Sequence, residues 1–80
     1  MSIIDLDLKR VIEKVEARYK IRLPRQVVAV DYGSRGDLYL RFKHVEKPVG
    51  EPTGDGRAII FYQNRQEIVA VEILDPEAYI

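Results

Sequence analysis

Eighty residues allow one domain, spanning 1–80, and a chain this short buries only roughly 60–65% of its unfolded surface, so its stability margin is thin. Cysteine is absent, which excludes disulfides and thiolate metal sites and leaves oligomerisation as the common means of reinforcement. The 13 basic and 13 acidic side chains cancel, +3 over residues 1–25 against −3 over 26–80, which argues against a surface given over wholly to nucleic acid.

The N-terminal stretch Met1–Arg10, MSIIDLDLKR, has acids inside its apolar run and no small-residue cleavage site, so no signal peptide is expected. No apolar run reaches membrane-spanning length, so no membrane association is expected and a cytoplasmic location is the plain expectation. With 32% charged residues, one Asn and one Thr, the composition is that expected of a thermophile.

Ile4, Leu8, Val11, Ile12, Val15 and Tyr19 recur at spacings of three and four, which predicts an amphipathic helix over about 4–20. Ile3–Leu8 also alternates like a strand, and Ser2, Asp5 or Asp7 are candidate helix caps. Pro24 sets the latest point at which this helix stops. Four strands are then predicted between about 27 and 75: Val27–Tyr32, Leu38–Lys43, Ala58–Tyr62 and Ile68–Leu74, each rich in β-branched and aromatic residues. Gly33–Asp37 reads as a turn. Residues 47–57, with Pro48, Gly50, Pro52, Gly54 and Gly56, read as a flexible loop. Asp75-Pro76-Glu77 has the pattern of a capped helix start, giving a helical stub over Ala78–Ile80.

The predicted fold is α+β, an N-terminal amphipathic helix packed on a four-stranded antiparallel β-meander. The two-residue period places Val28, Val30, Tyr32, Leu38, Leu40, Phe42, Ile59, Phe61, Val69, Val71 and Ile73 on the core face. The opposite face then holds Val27, Ala29, Tyr39, Ile60, Tyr62, Ile68, Ala70 and Leu74 among Asp31, Arg41, Lys43 and Glu72. An apolar patch ringed by charge is how protein interfaces are built, so Tyr39, Ile60, Tyr62 and Ile68 are the candidate interface; the alternative is that the C-terminal tail or the 47–57 loop folds over this face.

Chemistry-bearing residues are few. His44 is the single histidine, so the common zinc and copper sites are unavailable, and neither a metal nor a cofactor is expected. Ser2 and Ser34 are the only serines, and neither is placed for a catalytic triad. The glycines of 50–56 lack the Lys-Ser/Thr and helix of a phosphate cradle. Asp31 and Glu72 fall on the first and fourth strands, far apart in a meander, so no catalytic residues are assigned and no enzyme is expected. Arg18, Lys20, Arg22 and Arg25 flank Tyr19 in a basic segment able to contact phosphates, with Arg41 and Lys43 as adjuncts. A solvated helix end complementing the helix dipole accounts for the same residues.

Gly36–Phe42, GDLYLRF, together with Gly56–Ile60 and Ile68–Asp75, IVAVEILD, resembles the small family called domain of unknown function 2283, over roughly residues 28–75. The chain departs from that family's pattern at Ala70, where a glycine is usual, and at Tyr62-Gln63, where acids are usual. The resemblance implies a small antiparallel sheet, no carried-over catalytic residues, and a protein-binding role, because some relatives look like antitoxins of small toxins. The expectation is a protein-interaction module, antitoxin-like, partnered by itself as a homodimer or by a small protein. The alternative is a small nucleic-acid-binding or regulatory protein acting through the basic segment 18–25.

Overall fold

The computed structural model describes residues 8–64 and 66–75. The predicted helix start at 4–7, its caps, the strand-like reading of 3–8 and the stub at 78–80 lie wholly or partly outside them. Among the described residues one helix, α1 (Leu8–Tyr19), precedes five strands: β1 (Ala29–Tyr32), β2 (Leu38–Arg41), β3 (Val49–Pro52), β4 (Ala58–Gln63) and β5 (Glu67–Ile73). All pairings are antiparallel, in the order β1-β2-β5-β4-β3. The α+β class stands, with two changes to the predicted sheet.

The first is the extra strand. Residues 49–52, read as part of a loop, pair with β4 as β3 through Val49↔Tyr62, Gly50↔Phe61, Glu51↔Ile60 and Pro52↔Ile59. Gly and Pro depress strand propensity, but an edge strand needs only one bonded side, and a proline on the other costs no ladder bond. The second is the order, which is not that of a meander: β5 lies between β2 and β4. Val69, Ala70, Val71 and Ile73 are each at most 1% exposed, which a strand achieves only with neighbours on both edges.

The helix buries Val11, Ile12 and Val15 against the sheet, as its apolar stripe requires. It ends on Lys20, a non-glycine residue at φ 57°, with Ile21 N–H donating to Glu16 C=O at 3.2 Å. That is a Schellman closure, so the stop comes four residues before Pro24. The Glu16 carboxylate then holds the departing chain: it accepts from Leu23 N–H at 2.7 Å and from Arg25 Nη1 at 3.1 Å. Leu23 is thereby drawn into the core with Leu38, Leu40, Phe42, Ile60, Val71 and Ile73.

The turn between β3 and β4 is tied to the end of α1 through Asp55. Its carboxylate accepts from Thr53 Oγ1 at 2.7 Å and Arg57 N–H at 3.0 Å within the turn, and from Arg18 Nε at 2.9 Å and Tyr19 OH at 3.1 Å on the helix. These donors, the Thr53 hydroxyl foremost, hold the Asp55 carboxyl well below the ordinary carboxylate range. Gly56, at φ 71°, supplies the left-handed residue that the turn needs.

Candidate functional site

The helix covers one face of the sheet, and among the described residues no helix covers the other. Cross-strand partners share a face, so the register reads out the open side in rows. One row runs Asp31, Tyr39, Glu72, Ile59, Pro52; the next runs Ala29, Arg41, Ala70, Phe61, Gly50. Phe61 lies between two small residues, Ala70 and Gly50, and its ring spreads over Gly50. Its ring meets Tyr39 edge-on, with centroids 5.5 Å apart and planes at 90°. The Arg41 guanidinium lies 5.2 Å from the Tyr39 centroid, and its Nη1 reaches His44 Nδ1 at 3.5 Å. Such an edge-to-face pair contributes about 0.5–1.5 kcal/mol beyond area burial, and the cation over the ring about 0.5–1 kcal/mol more.

Four interface residues were expected on this face, and the structure separates them. Tyr39 is there, half-buried. Ile60 is 4% exposed in the core cluster under α1, and Tyr62 and Ile68 pack against that cluster. The face assignment of β4 is therefore reversed: Ile59 and Phe61 point to the open side, Ala58 and Ile60 to the core. All of Ala58–Tyr62 is apolar, so the two-residue period carried no contrast from which to choose. On β5 the assignment of Val71 and Ile73 to the core and of Ala70 and Glu72 to the open side holds, and Ile68 alone, packed against the core, differs for another reason. The register shifts at Phe61/Tyr62, with Phe61↔Ala70 followed by Tyr62↔Ile68, so Val69 is an inserted residue and the period slips there.

Asp37 was missed by the sequence reading. Its carboxyl packs so closely on the β1–β2 turn that a Cβ at Gly33 would run into it. Its carboxyl also acts on Glu72: hydrogen bonding with Asp37, burial and the Asp37 charge push the Glu72 carboxyl above the ordinary carboxylate range. Because β5 is central, Asp31 and Glu72 are one strand apart on the same row, closer than a meander allows. No group of three or more potential metal ligands forms among the described residues. The open face thus presents Tyr39, Phe61 and Ile59 with Leu74, 43% exposed, at one end, bordered by Asp31, Asp37 and Glu72 against Arg41.

Two cations of the basic segment are ion-paired. Arg18 pairs with Asp55 at 2.9 Å and Arg25 with Glu16 at 3.1 Å, on either side of the α1 terminus. Lys20 sits at the left-handed helix end and Arg22 is exposed beside it. Lys43 pairs with Glu67 at 3.5 Å. Ion pairing of this kind lowers the positive potential available to a phosphate backbone. Beside α1, an open groove of about 560 Å³ is lined by Leu8, Ile12 and Val27, with Lys9, Glu13 and Arg25 also on its walls.

No protein-family model, curated protein or solved structure matches the chain. Among the described residues, no helix is long and apolar enough to cross a membrane.

Proposed function

We propose that this chain is a protein-interaction module, antitoxin-like in acting on a small protein partner, and that it works by binding rather than by catalysis. The observation that carries the proposal is the sheet face away from α1, on which Phe61 and Tyr39 form a 5.5 Å edge-to-face pair with Arg41 over the tyrosine. Aromatic side chains and arginine are the anchors of interface centres, where large rigid surface is buried at small entropic cost. The border is acidic, with Asp31, Asp37 and Glu72 outnumbering Arg41, so it suits a partner presenting apolar side chains among cations. The partial neutralisation of Arg18 and Arg25 weighs against the nucleic-acid reading.

The test is affinity capture by the tagged wild type and by Phe61→Asp, with nuclease treatment and high salt as separate arms. The proposal expects a stoichiometric protein that survives both treatments and is lost with Phe61→Asp, while circular dichroism shows the variant folded. A partner that leaves with nuclease or salt, or that Phe61→Asp retains, overturns it.

A further inference from the structure

The two sheet edges are unlike. The β3 edge is protected: it carries Glu51 and Pro52, and proline offers no N–H to a further strand. The β1 edge has no proline or lysine, and on its helix side Val30 and Tyr32 are 39% and 41% exposed. Ladder bonds alternate along an antiparallel pair. Gly33 N–H donates to Asp37 C=O at 2.9 Å, so Asp31 and Ala29 face β2, and Val30 and Tyr32 turn their N–H and C=O to the open edge.

We propose that β1 pairs antiparallel with β1 of a second copy, across a two-fold axis at Val30, joining the two sheets into one. The sequence of the strand is self-complementary only in a few registers. With Val30 opposite Val30, the two exposed Val30 side chains meet on the helix side, with a Tyr32 at either end of the pair. A slip centred on Asp31 instead sets the two carboxylates directly opposite one another, which is destabilising.

Charge selects the same register. On the open face, Asp31 then lies opposite the partner's Ala29, and Ala29 pairs with Arg41 in its own sheet. Asp31 therefore faces the partner's Arg41 across one small residue, about two strand spacings or ~10 Å between Cα atoms. The two side chains together span that distance, and the symmetry makes the contact twice. Within one copy Asp31 has no ion-pair partner among the described residues. The dimer would also supply the reinforcement that a cysteine-free chain of this length lacks.

The experiment is sedimentation equilibrium on the wild type, Val30→Pro, Asp31→Arg, Arg41→Asp and the double variant Asp31→Arg/Arg41→Asp, each checked by circular dichroism. Proline at Val30 removes an edge-facing N–H and leaves the β1–β2 ladder bonded. The expected results are a wild-type mass twice that of one chain, monomers for Val30→Pro and for each single charge reversal, and dimer restored in the double variant. A monomeric wild type at high micromolar concentration, or a dimer indifferent to Val30→Pro, overturns the proposal. Should Val30→Pro fail to fold, the charge swap decides: single reversals that leave the dimer intact overturn it. Phe61→Asp leaves this edge untouched, so dimerisation and partner binding fail separately.

Discussion

Phe61 depends on the absence of a side chain at Gly50. A Cβ built on Gly50 would stand 2.7 Å from Phe61 Cε2 and 3.1 Å from Ile59 Cγ2. The glycine that weakens β3 as a strand is therefore what lets the Phe61 ring lie flat across the sheet edge toward Tyr39. Gly50→Ala is expected to lift the ring, cost about 1 kcal/mol as modest overpacking does, and leave the fold in place. Proton NMR checks this: the ring-current shifts that Tyr39 and Phe61 impose on each other should collapse in the variant. Unchanged aromatic shifts would refute the arrangement.

Lys20 adopts a left-handed conformation at φ 57°, where a side chain is strained and glycine is not. Lys20→Gly is expected to stabilise the protein by roughly 0.5–1 kcal/mol, read as a higher urea midpoint at constant slope. Among the described residues the exposed lysine makes no ion pair that offsets the gain. A destabilised variant would mean that the helix ends some other way.

Glu16 anchors the chain leaving α1. The Leu23 N–H bond, with the Arg25 charge, holds its carboxyl below the ordinary value despite partial burial. A lowered value in the folded state contributes stability that is present above the ordinary glutamate range and is lost as pH falls through the lowered value. At neutral pH, Glu16→Gln is expected to cost about 1 kcal/mol and Glu16→Ala about 2 kcal/mol. Both differences should shrink on acidification, and denaturant titrations at neutral and acid pH will show whether they do.

Glu72 behaves in the opposite sense. Its carboxyl is raised by the Asp37 hydrogen bond, burial and the Asp37 charge. Its contribution is complete below the ordinary glutamate range and is lost as pH rises through the raised value. Glu72→Gln keeps a hydrogen bond to Asp37 and removes the repulsion. Stability should then be unchanged in acid and higher at neutral pH, by under about 1 kcal/mol because the pair is largely solvated. A variant less stable than wild type at neutral pH would overturn this account.

Much of this arrangement was legible from the residues alone. The three-and-four spacing from Leu8 to Tyr19 dictates an amphipathic helix because only that geometry gathers its apolar groups on one side. The alternation of Leu38-Tyr39-Leu40-Arg41 fixes which side of β2 faces the core, since a strand shows its side chains to opposite faces in turn. Those two local rules give the α+β class and place Tyr39 on the open face. Three things waited on the tertiary structure. Residues 58–62 are apolar throughout, and only packing against Gly50 and Ala70 sends Phe61 outward while Ile60 goes inward. The centre of the sheet is assigned to β5 by its need for two bonded edges, a long-range requirement that no window of sequence expresses, and this in turn brings Asp37 and Glu72 together. Finally, Arg18 and Arg25 look alike in the chain as members of one basic run. The fold pairs one with Asp55 and the other with Glu16, because ion pairing depends on which carboxylate the topology delivers and not on the neighbours in sequence.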